Sequence, residues 1–148
     1  MYGTSNYLEE KLLKHIVLNQ NFPSPSGGLS VALTKTPVQP NNTGSSINEI
    51  NGPNYNRVQI NTLANAAARW EYLSNGHKTD LGPIRNTSNI VFPTPTGDWG
   101  MVSGIAIVDS PTPGQGNVLF FKELDPPRMI YAGETVKFNP GNLGLSIE

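Results

Sequence analysis

The clearest periodicity along the chain is helical, and it comes first. Leu8, Leu12 and Ile16, joined by Leu13 and Val17, recur at three- and four-residue spacing and draw one apolar stripe through residues 5–18. Asn6 is placed to cap this helix, with Glu9 as the reciprocal partner of a capping box. Glu9 and Glu10 fall in the first turn and Lys11, Lys14 and His15 follow, an order that suits the helix dipole. Phe22-Pro23-Ser24-Pro25-Ser26-Gly27-Gly28 ends the segment. A helix of about 13 residues with one apolar face is marginal by itself in water. Its stripe must therefore lie on the chain's own sheet or on a neighbouring subunit.

Beyond residue 28 the period changes to two. Leu29, Val31 and Leu33 alternate with Ser30 and Ala32, and Arg57-Val58-Gln59-Ile60 alternates again. Short strands are also predicted at 69–73, 90–92, 101–108, 118–124, 129–131, 135–138 and 143–147, while Ala64 to Ala68 suits a helical turn. Pro93-Thr94-Pro95-Thr96-Gly97 stops one strand, and Ala132-Gly133-Glu134 makes a tight turn between two others. Residues 37–54 form a long Pro/Asn/Gly/Ser loop, a contact arm or a solvent-exposed segment. The pattern predicts a mainly β chain: a single β-sandwich, jelly-roll-like, over 29–148 behind the helix at 5–18. Phe92, Trp99, Ile105, Ile107, Leu119 and Phe121 are its expected core anchors.

Composition sharpens this picture. Fifteen glycines and 13 prolines fit many short elements better than a helical bundle. Only 14% of residues are charged and the net charge is −1, against about 25% charged in typical domains. Asn41, Asn42, Asn48, Asn51, Asn54, Asn56 and Asn61 supply polarity without a field. Such a surface steers neither DNA nor anionic lipid, so no nucleic acid and no membrane is expected as a partner. With no cysteine, disulfides and thiolate metal sites are excluded. The first residues lack the basic-then-apolar leader pattern, and no apolar run approaches the ~20 residues of a membrane span. Synthesis in the cytoplasm is the expectation.

Candidate chemistry is sparse. His15 reads as a solvated helix position and His77, in Asn75-Gly76-His77-Lys78, as a loop residue; Asp80 is near it, but no nucleophile motif accompanies them. Asp98 and Asp109 flank one strand, and Glu123 and Asp125 end the next. Carboxylates at strand ends are more often turn formers than the pair of a glycosidase. Gly114-Gln115-Gly116 lacks the Lys-Ser/Thr of a phosphate loop and reads as a loop tip. No enzyme, cofactor or metal site is expected. Trp99, between Gly97 and Gly100, reads as a core residue around which the backbone bends. Trp70 and Tyr72 share one strand face by period two and suit core, glycan contact or subunit contact.

Several segments in order resemble a family of small tailed-phage proteins labelled "tail fibre protein", the mycobacteriophage gene-product-80-like group. They are Asn6 to His15, Leu29 to Thr34, Val91-Phe92-Pro93, Thr96-Gly97-Asp98-Trp99-Gly100, Gly104 to Asp109, Asn117 to Phe121 and Ala132 to Phe138. The chain departs from the pattern between 37 and 88, where the loop is longer and Trp70, Tyr72 and Asn75–Arg85 replace small residues. The resemblance implies a non-enzymatic structural protein of the virion, with no catalytic residue to carry over. No coiled-coil shaft is present, so a capsid decoration (cement) protein or a small tail-fibre or baseplate component is expected. Its partners would be the major capsid protein or tail and baseplate proteins, and copies of itself in a homo-oligomer. Leu8, Leu12, Leu13, Ile16 and Val17 are the expected subunit-docking face, with Trp70 and Tyr72 as the alternative, a receptor- or glycan-binding site.

Overall fold

The computed structural model describes residues 2–25, 27–61, 70–74, 82–145 and 147. Among them the elements run β1 (Tyr2–Thr4), α1 (Asn6–Leu18), β2 (Leu29–Thr34), β3 (Val58–Asn61), β4 (Trp70–Tyr72), β5 (Ile84–Asn86), β6 (Ile90–Val91), β7 (Gly100–Val108), β8 (Val118–Ile130), β9 (Lys137–Phe138) and β10 (Gly144–Leu145). The chain is mainly β and sandwich-like, with the helix first, as the periodicity predicts. The helical turn predicted at Ala64 to Ala68 lies outside the described residues.

One antiparallel sheet, β1-β8-β7-β2-β3, carries the architecture. Leu33 pairs with Ile105 and Ala32 with Ala106, while Ile107 pairs with Phe120 and Ala106 with Phe121. Because side chains alternate, this register serves two cores. Val31, Leu33, Ile105 and Ile107 enter the first, with Ile60, Ile90, Phe92, Trp99, Val102, Ile130, Val136 and Leu143. Its second layer comes from the small sheets β6-β9 and β10-β5-β4, through Ile90, Phe138, Trp70 and Leu145. Ala32, Ala106, Val108, Val118 and Phe121 point the other way and meet Val38 and Ile47.

That second core corrects two expectations. Ser30 and Ala32 are buried along with Val31 and Leu33, because loop 37–54 covers the face the alternation assigns to solvent. The loop is a packed layer and not an arm: Val38, Ile47 and Ile50 are buried. Its return limb extends the sheet, with Ile50 N donating to Leu33 O (2.9 Å), Lys35 N donating to Asn48 O (2.7 Å) and Glu49 bridging Thr34. Its polar residues tie their own backbone, as Gln39 N donates to Asn42 Oδ1 and Thr43 N to Ser46 Oγ, both at 2.8 Å.

The pattern also predicts two strands, 118–124 and 129–131, broken at Asp125-Pro126-Pro127; β8 runs through. The register shifts between Gly104↔Glu123 and Val102↔Arg128. The prolines sit in that bulge, where a missing N–H interrupts no ladder bond. The predicted turn is present: Glu134 N donates to Tyr131 O at 3.3 Å, with Gly133 at φ 81°.

Trp99 lies deep in the first core. Its ring meets Tyr55 edge-on at 5.3 Å and Phe92 at 6.5 Å, and Nε1 donates to Pro53 O at 2.8 Å. Gly100 takes φ 86°, but Gly97 does not bend around the ring; the space a Cβ would occupy there is filled by Pro53. The close approach to Trp99 is made by Gly52, where a Cβ would lie 2.4 Å from Trp99 Cδ1.

Candidate functional site

Among the described residues, the contacts that fix helix α1 to the sheet lie at its N-terminal end. Its N-cap is Ser5, not Asn6: the Ser5 hydroxyl accepts from Leu8 N at 3.1 Å and donates to the Val118 carbonyl, while Ser5 N donates to Leu119 O at 2.9 Å. Glu9 accepts from the Thr4 hydroxyl at 2.7 Å, so it braces the entry to the helix without closing a capping box on Asn6. Leu8 is buried and Leu12 half-buried. From residue 13 onward the large apolar side chains face outward: Leu13 is 62% exposed, Ile16 69%, Val17 71% and Leu18 60%.

The free end is nevertheless well formed. Asn19 closes it in the left-handed conformation, with its N–H on Lys14 O. Gln20 N also donates to Lys14 O, and the His15 ring nitrogen Nδ1 meets Gln20 O at 2.9 Å. Lys14 pairs with Glu10 one turn back and holds its carboxyl below the usual carboxylate range. Leu13, Ile16 and Val17 thus form an ordered, exposed apolar ridge on the far half of the helix, beyond Leu8, which is buried at its base.

The other candidate residues fall elsewhere. Trp70 is half-buried against the first core and its Nε1 donates to Ile60 O at 3.1 Å. Tyr72, its neighbour by period two, is 65% exposed and pairs in register with Ile84. Beside Trp70 is a cavity of about 50 Å³ lined in part by Gln59, Asn86, Ser88 and Asn89. Sites that enclose a small molecule measure about 300–1,000 Å³, so this one holds no sugar ring. Phe92, Trp99, Ile105 and Ile107 lie in the first core, Phe121 in the second, and Leu119 is buried where β8 gains a residue opposite Ile107 and Val108.

Two of the strand-end acids tie loops together. Asp98 accepts from Ala132 N at 2.9 Å, and Asp109 accepts from Asn117 N and Nδ2 at 2.6 and 3.1 Å. His77 and Asp80 lie outside the described residues. Among the described residues, no three His, Asp or Glu side chains converge as a metal site would require, and no helix is long and apolar enough to cross a membrane.

The most connected polar group was not legible as such. Arg57 opens the predicted strand 57–60, yet its side chain is fully buried and uses all five N–H donors. Nε and Nη2 form a fork on Glu49 at 2.9 and 2.8 Å; Nη2 reaches Gly44 O at 3.3 Å; Nη1 donates to Ser110 O and Gln115 O at 2.9 and 2.8 Å. Glu49 also accepts from the Tyr55 hydroxyl at 2.7 Å and from Gly114 N at 3.3 Å. Burial, and then the Glu49 charge, push the Tyr55 hydroxyl far above its ordinary value. The clasp joins loop 37–54 to the β7–β8 loop, and Gly44 permits it: a Cβ there would lie 2.0 Å from Gln115 O. Glu49 and Arg57 are eight positions apart in sequence, with no periodic pattern linking them.

The chain matches the model of one protein family, described as Podophage GP4 fiber I protein gp80, over residues 3–146, and it belongs to that family. No curated protein matches it. The family is a phage fibre family, which agrees with the broader part of the resemblance drawn from Asn6–His15 and Thr96–Gly100; the mycobacteriophage grouping is not part of its description.

Proposed function

We propose that this phage fibre-family chain is a non-enzymatic structural subunit of the virion, attached to neighbouring virion proteins through the outer face of α1. The observation that carries the reading is the projecting ridge of Leu13, Ile16 and Val17, each more than 60% exposed on a helix capped at both ends. Large apolar side chains on an ordered element outside both cores suit burial against another protein. Burying one such side chain is worth about 1.5–3 kcal/mol, and a stable contact covers about 800 Å² per partner. The ridge supplies the apolar centre of such a contact. The family's name favours the fibre over capsid decoration, and the chain would be made in the host cytoplasm and assembled as several copies.

The glycan-binding alternative draws less support. Trp70 offers a half-buried ring whose N–H is already engaged, which leaves Tyr72 alone as a stacking group.

The test is Ile16→Asp with Val17→Asp, introduced into the phage. The purified double variant should keep its circular dichroism and melting behaviour, because both side chains lie outside the cores. Its incorporation into particles should fall by an order of magnitude or more. Wild-type incorporation would overturn the docking reading. Cryo-electron microscopy of the wild-type particle separates the placements: density at the tail supports the fibre reading, and density repeated over the capsid lattice replaces it with decoration.

A further inference from the structure

Asn51 lies between two fixed points of the chain. On one side Ile50 is buried in the first core and its N–H is held by Leu33 O. On the other, Gly52 lies against Trp99 with no room for a Cβ, its carbonyl accepts from Tyr55 N at 3.1 Å, and the next carbonyl, Pro53 O, receives the Trp99 indole N–H. Asn51 itself is exposed. Among the described residues, neither its side-chain amide nor the Gly52 N–H has a hydrogen-bond partner.

Packing therefore requires glycine at 52, and glycine is the residue that shields its own peptide nitrogen least. We infer that Asn51 is a site of spontaneous deamidation whose isoaspartate product reports directly into the Trp99 core. The Gly52 nitrogen attacks the Asn51 side-chain carbonyl carbon. A new C–N bond closes a five-membered succinimide, the bond from that carbon to Nδ2 breaks, and ammonia leaves with the proton from the Gly52 nitrogen. Water then opens the ring at either carbonyl. Opening at the side-chain carbonyl gives aspartate; opening at the main-chain carbonyl gives isoaspartate, in which the main chain runs through the former side chain. No oxidant or cofactor is needed.

The two products differ in what they do to the fold. Aspartate leaves the chain path unchanged and adds one negative charge at an exposed position. Isoaspartate adds a methylene to the main chain between Ile50 and Gly52, both held in place. The added length must be absorbed where Gly52 meets Trp99, so the ring shifts against Tyr55 and Phe92.

The experiment is storage of the whole folded protein in mildly alkaline buffer at physiological temperature, followed by peptide mapping and isoaspartate-specific enzymatic methylation. The chain has a second Asn-Gly pair at 75–76, so the mass gain of one dalton must be located at residue 51 itself. The expected result is deamidation at Asn51 well ahead of the neighbouring Asn54 and Asn56, with altered tryptophan emission in the isoaspartate fraction. Asn51→Asp, made as the aspartate product, should have wild-type emission. The inference is overturned if Asn51 stays intact in the folded protein while the denatured chain reacts there, or if the isoaspartate fraction keeps wild-type emission.

Discussion

Arg57→Ala is the perturbation with the largest consequence that this structure predicts. The substitution removes five hydrogen bonds at once and strands what they satisfied: the Glu49 carboxylate, whose side chain is 9% exposed, and the carbonyls of Gly44, Ser110 and Gln115. Removing one member of a buried ion pair costs about 3–5 kcal/mol, mostly because the remaining charge is left without a partner. That is a large share of a native stability of about 5–15 kcal/mol. For a chain of this length a loss of 1 kcal/mol lowers Tm by about 2–4 °C, so the fall should be on the order of 10–15 °C. Arg57→Lys should recover little of it, since an ammonium cannot reproduce the planar fork that reaches two loops.

Calorimetry or thermal circular dichroism on Arg57→Ala, Glu49→Gln and the double variant closes a thermodynamic cycle. The coupling energy should exceed about 1.5 kcal/mol, as for other close charge pairs. The double variant should remain below wild type, because the carbonyls of Gly44, Ser110 and Gln115 lose donors that alanine cannot supply. If Arg57→Ala costs no more than the ~1 kcal/mol typical of an exposed pair, a fall in Tm of only about 2–4 °C, the clasp does not fasten the two loops.

Three further outcomes follow from the same contacts. Ser5→Ala removes the cap of α1 and its tie to Val118, and should cost about 1–2 kcal/mol in chemical denaturation, with lower particle incorporation because the ridge loses its fixed orientation. Gly52→Ala sets a methyl where Trp99 Cδ1 stands, and should destabilise by about 1–3 kcal/mol with a change in tryptophan emission; an unchanged spectrum would show that the segment moves freely. The raised Tyr55 hydroxyl favours the folded state fully below the ordinary tyrosine value of 10.0 and progressively less above it, as the unfolded chain ionises there first. Phenolate absorbance of Tyr55 should therefore appear only with alkaline unfolding, and Tyr55→Phe should remove only that part of the signal.

The legible parts of the fold were those governed by short-range periodicity. Helical spacing placed α1 almost to the residue, and alternation placed β7 and the first half of β8. What escaped depends on partners distant in sequence. Alternation in 29–33 predicts one buried face, and only the return of loop 37–54 buries the other. Asp125-Pro126-Pro127 carries every mark of a strand end, yet the bulge opposite Val102 and Gly104 carries the strand through it. The strands Tyr2–Thr4 and Ile84–Asn86 are three residues each, too short for a period to emerge, and they exist because β8, β4 and β10 lie beside them.

The candidate site shows the same division. The stripe Leu8, Leu12, Leu13, Ile16 and Val17 reads as one face in sequence, but the structure separates it. Leu8 and Leu12, in the first two turns, are buried and half-buried, and the other three, farther along the helix, are exposed. Helical spacing cannot make that separation, because it gives direction around the helix axis and not distance from the sheet. The dividing step is Ser5, whose bonds to Val118 and Leu119 set the angle at which the helix leaves the sheet. The low charge content acquires a structural reason as well. The loop's Asn, Ser and Thr side chains serve backbone groups, and its one buried carboxylate is committed to Arg57. Little remains on the surface to steer a partner from a distance, which fits the proposed attachment by direct contact through the exposed apolar ridge of α1.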